Sequence, residues 1–265
     1  MRVYVEGVGL RADGLDGWRV SLPVVAGDRS YTPGPLNLPP SPLLPPAERR
    51  RTVATVRLAL LVGADAFDAA KRDPGTTATV FASSGGDGAT IHNILESLAV
   101  AELDVSPTRF HNSVHNAPSG YWNIATRSRE PTTSLCAHDA SFAAGFLEAA
   151  VQATLDQRAI GLIAYDLPYP EPLNASRPIM SMFGVSLIVT PIPTAMTFAS
   201  LSVALDRRAE AATPMRDGRL EALRAGNPAA RSLPLLAALA RRAETRVVLD
   251  HTNGNVVVVS VAPTA

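Results

Sequence analysis

Apolar and polar positions along this chain switch repeatedly between two periods. RVYVEGVGL (residues 2–10) is a strand-like run with a Gly-rich end. TTATVFASS (76–84) and IGLIAYD (160–166) are continuous apolar runs of strand length, as a buried strand requires. Between them the spacing becomes helical. Residues 47–70 set Val53, Val56, Leu60, Leu61, Ala64 and Phe67 on one stripe, closed by Asp73-Pro74-Gly75. Residues 89–101 predict an amphipathic helix, 114–124 a third, and 140–157 a long helix of small and apolar residues. A short strand is predicted at 132–137. Later, 183–191 and 195–205 are strand-like runs around Pro191-Ile192-Pro193, expected to pair antiparallel. A helix near 233–242 precedes TRVVLD and NVVVVSVA, joined by Asn253-Gly254, the strongest short hairpin signal.

This alternation predicts an α/β layered fold with a largely parallel core sheet. The Gly85-Gly86-Asp87-Gly88 turn lacks the spacing of a nucleotide loop and reads as a tight connection. Residues 32–46 carry so many prolines that helix and central strand are excluded. They read as a surface loop or as an extended partner-binding segment.

Composition narrows the function classes. With 265 residues, 46% hydrophobic and 18% charged, the chain has material for one large core and is far from a disordered profile. The formal net charge is zero with no basic run, so neither nucleic acid nor an anionic membrane is an expected partner. Near-zero charge favours association. A single cysteine, Cys136, excludes an internal disulfide and fits a reducing cytoplasm. The N-terminus lacks a basic region followed by an apolar run, so no signal peptide is expected. No window of about 18 apolar residues predicts a membrane span.

Residues 106–150 are SPTRFHNSVHNAPSGYWNIATRSREPTTSLCAHDASFAAGFLEAA. The stretch resembles the active-site region of a β-ketoacyl synthase. Ser106-Pro107, Asn116, Gly120, Pro131 and Ala149-Ala150 fall at that family's spacing without a gap. The similarity extends over residues 1–205, through RVYVEGVGL, TATVFASSGGDGATIHNIL and SRPIMSMFGVSLIVTP. It implies a single thiolase-like half: a layered αβα domain with a mixed sheet over residues 1–265, truncated relative to a full ketosynthase. The Pro-rich loop at 32–46 and a C-terminal helix and hairpin at 206–265 would be additions to it. A full ketosynthase has two pseudo-equivalent halves, and the roughly 60 residues after Leu205 cannot hold the second, which carries the family's catalytic histidines. The one late histidine is His251.

The resemblance assigns Asp139 to the position of the family's nucleophilic cysteine. That thiol works at a helix N-terminus, which lowers its pKa. A carboxylate is a poor acyl acceptor, since the mixed anhydride it would form is itself reactive. Two readings of Asp139 remain: a helix N-cap, or a carboxylate assisting decarboxylation or protonation in a shared pocket. Cys136 reads as a buried structural thiol. A one-residue gap would move it towards the nucleophile position, with His138 as its only nearby electropositive neighbour. His111 and His115 are four apart, a metal spacing on a helix, but no acidic third ligand lies near and no metal is expected. With Asn116 they are placed over the pocket or in a subunit contact. Ser141 lacks a hydrolase motif. Ser141, Phe142 and Phe146 are expected at the pocket or interface. No cofactor is called for.

The resemblance is to short members associated with aryl polyene and xanthomonadin-type pigment synthesis. It implies a non-catalytic chain-length factor, paired with a true ketosynthase and served by acyl carrier protein. Arg49 to Arg51 would receive the carrier or form a solvated helix face. The alternatives are a divergent condensing or decarboxylating enzyme, or a structural scaffold, with a homodimer or heterodimer in each case.

Overall fold

The computed structural model describes residues 1–100, 105–207 and 210–264. The opening run forms β1 (Arg2–Ala12), which turns into the short β2 (Leu15–Asp16). A helix not predicted above, α1 (Trp18–Ala26), follows. The single helix predicted over 47–70 is two: α2 (Pro46–Arg51) and α3 (Ala54–Ala70), separated by Thr52 and Val53 in extended conformation. The Pro-rich loop before α2 is anchored. Leu44 is fully buried, Leu36 and Leu38 pack on the core beneath α3, and Arg49 donates to the carbonyls of Pro42 and Leu44.

Next come β3 (Ala78–Ala82), α4 (Gly88–Ala99), α5 (Pro107–Ser113) and α6 (Ala117–Thr126). The predicted end of α4 at Ala101 lies outside the described residues. The helix expected at 114–124 begins three residues later, and α5 precedes it, started by Pro107 at its first turn. Then β4 (Thr132–Leu135), α7 (Ser141–Asp156), β5 (Ile160–Asp166), α8 (Leu173–Ser176), β6 (Phe183–Thr190) and β7 (Ala199–Asp206) alternate. The chain closes with α9 (Gly218–Gly226), α10 (Leu233–Arg241), β8 (Thr245–Asp250) and β9 (Val256–Pro263). Asn253 and Gly254 take left-handed φ of 58° and 72° between the last two strands.

Among the described residues these strands form one mixed sheet, in the order β4-β3-β5-β6-β1-β7-β9-β8 with β2 on β1. Only β4-β3 and β3-β5 are parallel; the remaining pairings are antiparallel. The expected largely parallel sheet is thus corrected to one with a parallel corner. The expected pairing of β6 with β7 is also corrected. Both pair antiparallel with β1, which lies between them. The segment after 206 is joined to the same sheet, since β9 pairs with β7 from Ala199↔Pro263 to Asp206↔Val256.

The sheet is covered on both faces. On one side α3 and α6 bury Leu58, Val62, Phe67, Tyr121 and Trp122 against Phe81, Ile163 and Ile188. On the other, α1, α7, α9 and α10 cover Val5, Leu10, Leu162, Val185, Leu201 and Val259. Burial on both faces explains the unbroken apolar runs of β5 and β6. Gly7 and Gly9 are required where α3 crosses β1, because a Cβ at either position would strike the carbonyl of Ala66 or Val62.

Candidate active site

The parallel corner matters because it places the ends of β3, β4 and β5 beside the start of α7. The chain leaves β4 through Cys136 and Ala137 and makes one 3₁₀ turn, His138–Ala140, before α7. His138 occupies the left-handed region at φ 53°, a costly conformation for a non-glycine residue. Ser141 fixes the turn: its Oγ donates to the His138 carbonyl at 2.7 Å and accepts from the Ala137 amide at 3.0 Å.

Asp139 does not cap α7, because its side chain makes no bond to the helix amides. Its carboxylate turns outward instead. Oδ1 accepts from Arg177 Nη2 and Oδ2 from Arg231 Nη2, each at 3.0 Å. Arg177 Nη1 lies 2.6 Å from His138 Nε2. A guanidinium only donates, so Nε2 accepts and the neutral ring carries its proton on Nδ1, 3.5 Å from Asp139 Oδ1. Arg231 Nη1 donates to Asp250 at 3.2 Å. Burial pulls the Arg177 pKa down, but its bonds to Asp139 and Tyr169 outweigh this, and the group sits above its ordinary value. The ion-pair hub borders a cleft of about 390 Å³, lined also by Ser176, Pro178, Ile179 and Gly226.

Behind the turn lies a buried polar cluster. Asp166, at the end of β5 and 3% exposed, accepts at Oδ1 from the Ser84 amide and hydroxyl and from Ser83 Oγ, at 2.8, 2.7 and 3.2 Å. Its Oδ2 is buried without a partner among the described residues. Burial raises the Asp166 pKa to about 6 despite these bonds. Asn227, 1% exposed, donates to the carbonyls of Asp166 and Ser181 and accepts from the amides of Ala229 and Ala230. Tyr169 packs against Gly85, where a Cβ would collide with its hydroxyl.

Residues 27–252 match the family model for the β-ketoacyl synthase N-terminal domain. The chain belongs to that family. Three solved assemblies align with the domain over nearly the full length of both chains. One is a ketosynthase in complex with its chain length factor from Xenorhabdus doucetiae, with TM-score 0.75, 20% identity, and 98% of this chain and 99% of that chain covered. A second is a type II polyketide synthase acyl-carrier protein in complex with its ketosynthase bound to the hexaketide, with TM-score 0.78, 10% identity and 99% of both chains covered. The third is the ishigamide ketosynthase/chain length factor, with TM-score 0.71, 15% identity and 100% of both chains covered. These similarities establish the thiolase-like ketosynthase fold. No curated protein matches by sequence.

Within this β-ketoacyl synthase domain, the residues singled out by sequence do not form one constellation. His138, Asp139 and Ser141 stand together at the start of α7. Cys136 is exposed, correcting the expected buried thiol, because β4 ends one residue before it. Its Sγ donates to the Ser84 carbonyl at 3.2 Å. His111 sits on α5 with its ring edge-on to Tyr121, while His115 lies beyond the end of that helix and meets the Ser83 carbonyl at 3.0 Å. The helix that would have put both on one face stops at Ser113. Asn116 is exposed beside a separate hollow along β4. Phe142 and Phe146, expected at the pocket, stack at 6.2 Å inside the main core and are 1% and 0% exposed. Among the described residues no group of His, Cys, Asp and Glu is arranged for a metal ion.

Sequence reasoning missed Arg177, Arg231, Asp250, Asp166 and Asn227. A local signal existed for Asp166 and Asp250, each an acid ending an apolar strand.

Proposed function

We propose that this domain is a non-catalytic, ketosynthase-like accessory subunit, a chain-length factor. It pairs with a true β-ketoacyl-carrier-protein synthase in polyene or fatty-acid-type synthesis, with the aryl polyene and xanthomonadin-type pathways as the specific setting. The observation that carries the reading is Asp139. Where the family resemblance puts a thiolate, this chain has a carboxylate already neutralised by two arginines. A carboxylate held in two ion pairs is a poor acyl acceptor.

A pairing role is supported by two surfaces. β4 ends the sheet, and its outer edge is a template for another strand. α4 and α5, which pack together, expose Ile91, Leu95, Leu98, Phe110 and Val114 at 38 to 65%. An apolar cluster of this kind marks a protein contact. We place the ketosynthase there, and acyl carrier protein near the basic α2. Arg49 is committed to its own loop and Arg51 to Glu48, leaving Arg50 on the exposed face as the foremost contact. No helix among the described residues is long and apolar enough to cross a membrane, and we assign the subunit to the cytoplasm.

A second reading, a divergent condensing or decarboxylating enzyme acting through Cys136, has the exposure of that thiol in its favour. Native mass spectrometry after co-expression with a β-ketoacyl-carrier-protein synthase that has its catalytic cysteine separates the two. The accessory role predicts a stable heteromer whose condensation activity survives Cys136→Ala. A homodimer with thiol-dependent decarboxylation of malonyl-carrier protein would replace it.

A further inference from the structure

We propose that Arg177 and Arg231 form a carboxylate-binding pair that the chain fills with its own Asp139. The two guanidiniums approach Asp139 from different parts of the chain and each takes one carboxylate oxygen at 3.0 Å. Neither depends on Asp139 for its position. Arg177 is also held by His138 Nε2 at 2.6 Å and by Tyr169. Arg231 is also held by Asp250 at 3.2 Å, and its buried Nε has no partner among the described residues. Removing the Asp139 side chain therefore leaves two positioned donors, and preorganised donors bind an anion without an ordering cost.

The space to admit a ligand exists. The neighbouring cleft of about 390 Å³ opens onto His138, Arg177 and Pro228. Asp250 balances one guanidinium, so with Asp139 gone the site carries one net positive charge. The ligand class is a small carboxylate, whose two in-plane oxygens reproduce those of Asp139. The position is thus closed by an internal ligand. This inference does not require the accessory-subunit role.

The test is calorimetric titration of malonate, with inorganic phosphate as a second arm, into the full chain and its Asp139→Ala variant. Malonate is expected to bind Asp139→Ala at least tenfold more tightly than the parent, and adding Arg231→Gln should abolish the gain. Phosphate should bind more weakly than malonate, because its tetrahedral oxygens fit the two donors less well. Equal malonate affinity for parent and variant overturns the proposal, and phosphate binding as tight as malonate overturns the carboxylate class. Should Asp139→Ala fail to fold, Asp139→Ser, which is one carboxyl shorter and also vacates the position between the two guanidiniums, takes its place. A rise in its melting temperature with malonate, absent in the parent, is then the expected result, and no rise overturns the proposal.

Discussion

Asp139 Oδ2 and Arg231 Nη2 meet at 3.0 Å across 92 residues of chain, tying the start of α7 to the turn before α10. The bond accounts for Asp139 without invoking helix capping, and it makes the residue a tie between two distant segments.

Asp139→Ala is expected to destabilise the chain by about 1 kcal/mol, the scale of a partly exposed ion pair. A cap would cost a similar amount, so the single variant does not discriminate. A double-mutant cycle with Arg231→Ala does. Urea unfolding should show a coupling of about 0.5–1 kcal/mol between the two sites. Additivity of the two substitutions would restore the capping role.

Asp166 links stability to pH. Its folded pKa is raised by burial to about 6, against 3.8 for a free carboxyl. The folded chain therefore binds the proton more tightly than the unfolded chain. Stability from this group rises as pH falls from above 6 towards 4, and is lost as pH rises back through 6. The swing is about 3 kcal/mol, at 1.36 kcal/mol per unit. Asp166→Asn should flatten this part of the profile in urea melts between pH 4 and 7. A profile unchanged by that substitution would remove Asp166 as its source.

Cys136 should react with iodoacetamide in the native state to one equivalent, read by intact mass, because its side chain is exposed. Resistance until denaturation would show the thiol to be covered.

Phe146→Ala should cost about 3–5 kcal/mol, as for other large-to-small changes at fully buried aromatic positions. Thermal unfolding checks this. A shift in product length with unchanged stability would instead mean that the ring faces an acyl tunnel.

Much of the fold was legible in local pattern. The apolar runs of β3, β5 and β6 are continuous because each strand is covered on both faces, and α7 and α10 were readable from their small and apolar residues. The hairpin of β8 and β9 followed from Asn253-Gly254. The break between α2 and α3 was not legible, since arginines and apolar residues keep helical spacing through Thr52 and Val53. The candidate site was half legible. His138, Asp139 and Ser141 are neighbours in sequence, whereas Arg177, Arg231 and Asp250 arrive from other segments.

The amino-acid sequence by itself determined the layered α/β class, most elements, the family resemblance and the absence of a cysteine at Asp139. These follow from periodicity, turn chemistry and residue identity, which act over a few neighbouring positions. Tertiary structure alone decided that β1 enters between β6 and β7, that the last strands extend the same sheet, that Phe142 and Phe146 are core, and that Asp139 is held by two arginines. Each of these depends on which distant surfaces meet. Strand order is chosen by burial summed over the whole sheet, and a carboxylate's partners are whichever cations the fold brings within about 3 Å.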